Sequence, residues 1–496
     1  MERNIQSLRN TIGGNYSKPN VNDMVMFRTQ LSENTIAQDY LRIQKNLSDE
    51  TVKIFCLGYD YYRNQIAIPE MKNKELINIA YRSLDKDAKV KYAKEKGCEN
   101  WIFNEQSIDL AKEKQGILVV SNQFDAMSAY QAGFKNVVSV PVGKNAVGEW
   151  IELFDSIPKV YIAFENTKHS KRFALDLAER IGTDKSYEVL FPDDVVDCNQ
   201  YFKQHDSNEF KELIRDARPF YKYKFQGLRD VIDSIKEKTE NVLKLKCIPF
   251  VEFEQDWLAI LSGTSNIGKT SIGLNIANEL ADRGIPNLVL PFERGIRTVG
   301  KRYLQVHLKK TQGELDSISE EEWDKIVPDL VDLPLYFSVP SREEIKETIA
   351  KAKKLFNIKV IIVDHLDYLV RKSTENHNVE TSNTLQEFKS LAQEFNIIFI
   401  IIHHIKKTEG VGGVTRKPKM EDLKGSSSIY QDPEAVIMLS SPDTGQLEVD
   451  IVKNKGMMGS KIFDFNLATG VVGEDITNIP HLMTETQKAQ EGFKNF

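Results

Sequence analysis

The stretch that most constrains the fold of this chain is GTSNIGKT, which runs from Gly263 to Thr270. The apolar run WLAILS precedes it, and SIGLNIANELADRG, whose apolar residues recur at helical spacing, follows it. A strand, a glycine-rich loop and a helix in this order predict a phosphate-binding P-loop. Gly263 and Gly268 permit backbone conformations that direct successive N–H groups at a phosphate, and the helix N-terminus adds partial positive charge.

The P-loop predicts a bound nucleoside triphosphate, either ATP or another NTP or dNTP, together with Mg²⁺. Lys269 has the length to reach the β- and γ-phosphates, and the Thr270 hydroxyl can hold Mg²⁺. The residues predicted to contact the nucleotide are consecutive: Gly263, Thr264, Ser265, Asn266, Ile267, Gly268, Lys269, Thr270 and Ser271.

Polar residues follow the apolar strands predicted downstream of the P-loop. Ligands bind at the carboxyl ends of strands in open α/β sheets, so these residues are expected beside the P-loop. Asp364, after KVIIV, fits the acid that orients Mg²⁺ or its water, and Glu293, after NLVLPF, fits the base that polarises the attacking water. His404 can hydrogen-bond the γ-phosphate, whereas His403 points to the other face of its strand and is expected to be structural. Gln431 can link the nucleotide to the loop before it.

Residues 105–220 carry a second α/β pattern, in which the helix FDAMSAYQAGF separates the strands GILVVS and NVVSVPVG, and the strand KVYIAFEN is followed by the helix HSKRFALDLAERIG. Their order resembles the Toprim fold of primases and topoisomerases. The resemblance implies a Glu after the first strand and Asp-x-Asp after a later one, but Ser121 and Glu165-Asn166-Thr167 stand there. Because clustered carboxylates are needed to hold divalent metal, we expect a degenerate domain that does not synthesise primers. Asp125 and Glu165 remain, and we expect them to be solvated.

The C-terminal half resembles the DnaB/RecA-like replicative helicases, and most of all the phage primase–helicase and Twinkle type. The blocks that carry the resemblance are GTSNIGKT, PFE, IIVDHLDYL, IIHHIKK, DLKGSSSIYQD and IVKNKGMMG. The resemblance implies a homo-hexameric ring that hydrolyses NTP at subunit interfaces, translocates 5′ to 3′ on single-stranded DNA and unwinds the duplex at a fork. It also implies a basic residue that reaches the neighbouring subunit's γ-phosphate. Lys453 and Lys455 of VKNKG occupy that segment, and either of them can supply the charge but not the planar fork of Arg.

A glycine-rich basic segment, KKTEGVGGVTRKPKMEDLKGSSS, lies between His404 and Gln431. Such a segment can track a phosphate backbone without reading bases, although a solvated loop has the same composition. The candidate DNA-binding residues are Lys406, Arg416, Lys417, Lys419, Lys424, Gly425 and Ser426.

The predicted fold is α/β, with an N-terminal Toprim-like domain and a C-terminal RecA-like P-loop ATPase domain joined by a linker helix. That helix can pack on its own chain or dock on a neighbouring subunit, and both interpretations stay open. The predicted boundaries are 1–104 for an N-terminal arm and small α+β part, 105–220 for the Toprim-like domain, 221–245 for the linker helix, 246–475 for the ATPase domain and 476–496 for a polar tail.

The composition limits the cellular compartment and the classes of partner that we expect for this chain. No apolar run approaches the roughly 18 residues that span a bilayer, and the N-terminus MERNIQSLRN shows no secretory signal. The four cysteines include no C-x-x-C pair, so neither a zinc module nor a disulfide framework is predicted. The net charge of −6 still permits a local basic loop to bind nucleic acid. These features predict no membrane partner, and together with the resemblance to phage helicases they imply a cytoplasmic protein of a bacterial host cell, encoded by phage or prophage.

The expected function is thus a replicative DNA helicase that works with a primase, a polymerase or a single-strand-binding protein. Two alternatives are a RecA-like strand-exchange ATPase and a non-enzymatic loader or scaffold. The Toprim-like region and the VKNKG block disfavour the strand-exchange ATPase. The P-loop together with Glu293 and Asp364 disfavours the scaffold.

Overall fold

The computed structural model of this 496-residue chain describes residues 16–85, 87–88, 90–142, 148–192, 194–220, 242–370, 377–405, 417–419, 422–423 and 428–477. The chain divides into two compact units, which comprise residues 1–225, 326–332 and 354–357, and residues 226–325, 333–353 and 358–496. Within the described ranges, no helix has both the length and the apolar composition that crossing a membrane requires.

The N-terminal part of the first unit is an α+β arrangement around a four-stranded antiparallel sheet. The first two helices are separated at Asn34, whose side chain accepts a hydrogen bond from the Ala37 N–H and caps the second helix. In chain order the elements are α1 (Val21–Glu33), α2 (Thr35–Asp39), α3 (Asp49–Ile54), β1 (Gly58–Asp60), β2 (Gln65–Lys72), β3 (Glu75–Ser83) and β4 (Tyr92–Lys94).

The rest of the first unit is built on a second sheet, whose parallel strands agree with the α/β pattern predicted for the Toprim-like region. Its order is β6-β5-β7-β8-β9, in which only β9 runs antiparallel to its neighbour. Helix α5 connects β5 to β6 and helix α6 connects β7 to β8, as parallel pairing requires. The elements are α4 (Ser107–Glu113), β5 (Ile117–Val120), α5 (Gln123–Gln131), β6 (Val137–Ser139), β7 (Val160–Ile162), α6 (Lys168–Ile181), β8 (Ser186–Glu188), α7 (Cys198–Gln204), α8 (Ser207–Arg215) and β9 (Arg218–Pro219).

The predicted linker helix over 221–245 is not borne out at its C-terminal end. Leu243–Leu245 form a strand, β10, which pairs antiparallel with β11 (Ile248–Phe253). The apolar residues of this short hairpin belong to the core of the second unit, which explains why the segment is extended rather than helical. Residues 221–241 lie outside the described part of the chain.

The second unit is organised around a nine-stranded sheet of the RecA-like type, as predicted. Its order is β14-β13-β15-β16-β12-β17-β18-β19-β20, parallel from β14 to β17 and antiparallel thereafter. Strands β12, β15 and β16 are apolar along almost their whole length because both faces of the parallel sheet are covered. The strands are β12 (Leu258–Gly263), β13 (Asn287–Pro291), β14 (Leu335–Phe337), β15 (Val360–Asp364), β16 (Ile398–His404), β17 (Ala435–Ser440), β18 (Gln446–Lys453), β19 (Gly459–Asn466) and β20 (Val471–Asp475).

The helices of this half of the chain lie mostly between the parallel strands. They are α9 (Lys269–Asp282), α10 (Ile296–Leu308), α11 (Gln312–Asp316), α12 (Glu320–Leu330), α13 (Ile345–Phe356), α14 (His377–Phe395) and α15 (Ser428–Gln431).

The polar tail predicted from residue 476 begins later than the composition indicates. Ile476 is buried, its N–H donates to the Ile462 carbonyl at 2.8 Å, and the Thr477 hydroxyl accepts from the Ile462 N–H at 2.9 Å. These two residues are therefore held against β19. Residues 478–496 fall outside the described ranges.

Candidate functional site

The predicted P-loop connects β12 to α9 at the carboxyl edge of the sheet. Strand β12 lies between β16 and β17 and ends at Gly263, and helix α9 begins at Lys269. Gly268 has φ +96°, a left-handed conformation that favours glycine, and a Cβ placed on it would lie 2.8 Å from Cζ of Phe465. Residues 264–268 thus form a turn between the end of β12 and the N-terminus of α9, the geometry that binds phosphate groups.

Gly268 and Gly300 form a matched pair for testing this turn. Gly268→Ala is expected to lower the free energy of unfolding by about 1–3 kcal/mol and to weaken nucleotide binding, because it adds backbone strain and a clash with Phe465. Gly300→Ala, within α10 and with open space around its Cβ, is expected to stabilise by about 0.5–1 kcal/mol. Urea unfolding and nucleotide titration of both variants measure the difference. Equal stability changes in the two variants would contradict the assigned conformation.

The Lys269 ammonium is buried inside the turn and donates to two backbone carbonyls. Its Nζ lies 3.0 Å from the Gly263 oxygen and 2.7 Å from the Thr264 oxygen. Burial, which nearby acids counteract only in part, lowers the Lys269 pKa from 10.5 to about 8. A nucleotide phosphate at this turn would raise the Lys269 pKa again, because a nearby negative charge favours the ammonium form.

This lysine makes stability depend on pH in a defined window. Between pH 8 and 10.5 the unfolded chain holds the Lys269 proton that the folded chain has released, so folding stability is gained as pH rises. We therefore expect the melting temperature of the nucleotide-free protein, relative to Lys269→Met, to rise across that window. Thermal melts of both proteins from pH 7 to 10.5 measure it, and a constant difference would contradict a lowered pKa.

Thr270 and Asp364 meet at the start of α9 and the end of β15. The Thr270 hydroxyl donates to Oδ2 of Asp364 at 2.8 Å. Burial raises the Asp364 pKa, and its Oδ1 is buried without a hydrogen-bond partner among the described residues. A buried carboxylate oxygen without a partner, beside a hydroxyl and a phosphate-binding turn, fits a Mg²⁺ ion or its water.

Glu293 lies beside Asp364, two residues after the end of β13. Its backbone N–H donates to the Asp364 carbonyl at 3.2 Å, which fixes the position of the turn. Its side chain is 27% exposed, and Oε2 lies 3.4 Å from Nε2 of His365. A partly exposed carboxylate at this position can contact a water molecule next to a bound phosphate.

A group of histidines around Asp367 adjoins this carboxylate. Asp367 Oδ2 lies 3.2 Å from Nδ1 of His365 and accepts from the His404 N–H at 3.4 Å, while Oδ1 lies 3.6 Å from Nε2 of His403. Although burial raises the Asp367 pKa, the contact with His365 and the other histidines lowers it to about 2. Burial and the charges of Lys269 and His365 lower the His404 pKa to about 4, so its ring is neutral at pH 7.

The sequence pattern did not predict a role for His365 or Asp367, although His365 lies beside Glu293 and Asp364, and Asp367 contacts His365. The signal that could have found them is the segment DHLD, which places polar residues immediately after a buried strand. His403 is buried, as expected for a structural residue, and its contact with Asp367 links it to the site.

A cavity of about 700 Å³ is lined by the P-loop and by the polar residues that follow β13, β15 and β16. The P-loop residues from Ser265 to Ser271, Ile267 excepted, form one wall together with Glu293, Asp364, His365 and His404. The lining also includes three arginines: Arg294, which precedes α10, and Arg297 and Arg302, which lie within it. Arg302 also donates to the carbonyls of Leu467 and Ala468, so it holds the segment after β19 against α10. The cavity can accept a polyanion.

The described residues that line this cavity do not include Lys453, Lys455 or Gln431. Lys453 Nζ donates to the carbonyls of Tyr430 and Gln431, at 2.6 and 2.7 Å, and so ties β18 to the end of α15. Lys455 Nζ lies 5.4 Å from the centroid of the Trp257 ring. Gln431 is exposed at the end of α15.

Of the predicted DNA-binding residues, only Lys417 and Lys419 belong to the described part of the chain. Lys417 Nζ lies 2.8 Å from Oε1 of Glu448 and 2.9 Å from Oδ2 of Asp450. Lys419 is exposed. The residues outside the described ranges are Lys406, Arg416, Lys424, Gly425 and Ser426.

Of the two acids retained in the Toprim-like domain, Asp125 is not solvated, contrary to expectation, whereas Glu165 is partly exposed. Asp125 is fully buried, and its Oδ1 accepts from the Asn199 N–H at 2.8 Å. Burial and the nearby charges of Asp197 and Glu165 raise its pKa well above the usual range. Burial and Asp197 also raise the Glu165 pKa. The prediction failed because α5 places Asp125 under α7, and the sequence alone does not show that packing.

Residues 250–466 match the family model of the DnaB-like helicase C-terminal domain. A probable replicative DNA helicase of Trieres chinensis is 25% identical over 199 residues, which cover 38% of this chain and 44% of the relative. The Twinkle homolog of Arabidopsis thaliana is 22% identical over 492 residues, with 86% of this chain and 65% of the relative covered. The replicative DNA helicase DnaC of Bacillus subtilis is 25% identical over 247 residues, with coverages of 44% and 53%. The chain thus spans less than two thirds of the length of these relatives.

Proposed function

We propose that this chain, whose residues 250–466 match the model of the DnaB-like helicase C-terminal domain, is a replicative DNA helicase driven by hydrolysis of a nucleoside triphosphate. The observation that carries the proposal is the convergence of the P-loop, the Thr270–Asp364 hydrogen bond and the Glu293 carboxylate around one cavity. A P-loop with these two acids is the arrangement that phosphoryl transfer to water requires.

Each residue of the cavity has a distinct part in this chemistry. The N–H groups of the turn orient the phosphates, and the Lys269 ammonium exchanges its carbonyl contacts for phosphate oxygens. Thr270 and Asp364 would hold Mg²⁺, which when bound supplies positive charge to the phosphoryl oxygens. Glu293 accepts the proton of the attacking water, and the neutral His404 ring can hydrogen-bond the γ-phosphate.

We further propose a homo-hexamer in which a lysine after β18 reaches the nucleotide of the adjacent subunit. Lys455 is the better candidate, because Lys453 is held by the carbonyls of Tyr430 and Gln431. The contact of Lys453 with the Gln431 backbone instead supports a linkage between α15 and β18. Gln431 would then couple the nucleotide to the basic segment that precedes it.

Single-stranded and forked DNA are the proposed substrates of translocation, contacted by the basic segment between β16 and α15. Lys419 is exposed and can contact phosphates directly. Lys417 is bound to two acids of β18, so its contribution to DNA binding would require that ion pair to open.

The Toprim-like domain is proposed not to synthesise primers. Ser121 stands where a Glu that acts at the reacting phosphate is expected, and Asp125 is buried with a raised pKa that disfavours its charged form. A separate primase, together with a polymerase or single-strand-binding protein, would then complete the replication machinery. The similarity to a bacterial helicase supports our proposal of a bacterial host cytoplasm, with phage or prophage as the source of the gene.

The test is NTP hydrolysis by the full chain with and without single-stranded DNA, alongside unwinding of a forked duplex. We expect DNA to stimulate hydrolysis and the fork to be unwound with 5′ to 3′ polarity. Stimulated hydrolysis with strand exchange but no unwinding would favour a recombination ATPase. Hydrolysis that DNA does not stimulate would refute the helicase proposal and favour a loader or scaffold.

A further inference from the structure

Two histidines and a glutamate converge on one side of the cavity, next to the P-loop lysine. The Glu293 carboxylate and one ring nitrogen each of His365 and His404 lie within 4.8 Å of one another. Imidazole nitrogens with a carboxylate are ligands typical of first-row transition metals, whereas Mg²⁺ prefers oxygen ligands. We propose that Glu293, His365 and His404 bind a transition-metal ion such as Zn²⁺, at a position distinct from that of Mg²⁺.

The spacing of the three groups fits such an ion. Around Zn²⁺ with bonds of about 2.0–2.2 Å, tetrahedral ligand atoms lie about 3.4 Å apart. Nε2 of His365 and Oε2 of Glu293 are 3.4 Å apart. The His365 and His404 rings meet edge to face with centroids 4.2 Å apart, so small side-chain rotations bring the third ligand into range. A water molecule from the open cavity can complete the coordination.

Asp367 supplies the outer contact that metal-binding histidines usually have. Its Oδ2 lies 3.2 Å from Nδ1 of His365, and a proton on Nδ1 would leave Nε2, 3.4 Å from Oε2 of Glu293, free to bind an ion. Nδ1 of His404 is buried without a hydrogen-bond partner among the described residues. A buried ring nitrogen without a partner beside a preoriented imidazole is a second indication of a ligand.

The surrounding charges permit a cation. The Lys269 ammonium acts on His404 and opposes the ion. The carboxylates of Glu293, Asp364 and Asp367 act on the same lysine and outweigh its single charge. Arg294, whose Nε lies 4.0 Å from Oε1 of Glu293, also opposes the ion, so three carboxylates act against two cationic side chains.

A metal ion at this site would coordinate the Glu293 carboxylate, which is proposed to accept the proton of the attacking water. It would inhibit hydrolysis while leaving the P-loop free to bind nucleotide. This inhibition rests on the proposed function, whereas the binding of the ion does not.

The binding test is a titration of the nucleotide-free full chain with Zn²⁺, and with Co²⁺ as a spectroscopic probe. We expect one ion per chain, visible Co²⁺ absorption typical of nitrogen and oxygen ligands, and at least a tenfold weaker affinity in His365→Ala and His404→Ala. His307→Gln, which changes a histidine of α10 outside the cavity lining, is the control with unchanged affinity. Asp367→Asn, which keeps all three ligands, should weaken binding by about 10–100-fold.

Equal affinity in wild type and both histidine variants, or a thiolate-to-Co²⁺ charge-transfer band, would overturn the site. Thermal melts in EDTA establish that each variant is folded. If both histidine variants fail to fold and Asp367→Asn folds, the Zn²⁺ affinity of Asp367→Asn relative to wild type decides whether the site exists. With Mg²⁺ in excess, saturating Zn²⁺ should lower wild-type hydrolysis at least tenfold, and EDTA added at a concentration equal to that of Zn²⁺ should restore it. No hydrolysis in Zn²⁺-free wild type supplied with Mg²⁺ would refute the proposed function and leave the binding result standing, whereas hydrolysis insensitive to bound Zn²⁺ would refute the inhibition alone.

Discussion

Glu293→Gln is expected to lower the turnover of NTP hydrolysis by about 10²–10⁴-fold, the usual contribution of a general base. The amide keeps the shape of the side chain but cannot accept a proton from water. The backbone contact between the Glu293 N–H and the Asp364 carbonyl is unaffected, so the turn should keep its position. Nucleotide affinity should therefore stay within a few-fold of wild type, as equilibrium titration with a non-hydrolysable analogue would show.

Glu387→Gln is the matched control, because Glu387 is an exposed glutamate on α14 outside the cavity lining. Its turnover should equal that of the wild type. If Glu293→Gln retained more than about a tenth of wild-type turnover, another group would have to be the base. Equal losses of turnover and nucleotide affinity would indicate a collapsed turn rather than a missing base.

Asp364→Asn is expected to abolish hydrolysis and, at the same time, to stabilise the nucleotide-free protein. Loss of the carboxylate weakens the Mg²⁺ position, which is worth several kcal/mol in the transition state, roughly 10²–10³-fold in rate. The Asn side chain still accepts the Thr270 hydrogen bond. Because burial raises the Asp364 pKa, the charged form costs folding free energy above that pKa, and the amide removes this cost.

The sign of this stability effect gives a pH test. The melting temperature of Asp364→Asn should exceed that of wild type at pH 7. The difference should shrink as pH falls through the raised pKa towards 3.8, because the wild-type carboxyl then becomes neutral as well. Asp324→Asn, an exposed position on α12, should show neither effect. A variant less stable than wild type at pH 7 would mean that the carboxylate is stabilising in the folded state.

The sequence predicted those features that follow from local pattern. Apolar runs of strand length, followed by polar residues, identified β12, β15 and β16, and the parallel-sheet rule placed Asp364 and His404 beside the P-loop. The glycines of the P-loop indicated the backbone conformation that Gly268 adopts. Their roles in binding and catalysis remain predictions.

The features that the sequence did not reveal depend on packing between distant segments. His365 and Asp367 gain significance only when β15 and β16 pair and bring His403 and His404 beside them. Asp125 resembles a surface residue until α7 covers it and Asn199 bonds to it. Lys417 resembles a free DNA contact until β18 presents Glu448 and Asp450.

The contact between Gly268 and Phe465 also governs when the site can form during synthesis. The phosphate-binding turn is translated early in this domain, but one side of it rests on β19, almost two hundred residues later. Strand β12 likewise lacks its neighbour β17 until Ala435 has been made, and an unpaired strand edge promotes association with other chains. On the ribosome, we therefore expect nucleotide binding to appear only after residue 466 has left the exit tunnel, which delays futile hydrolysis until the domain is complete.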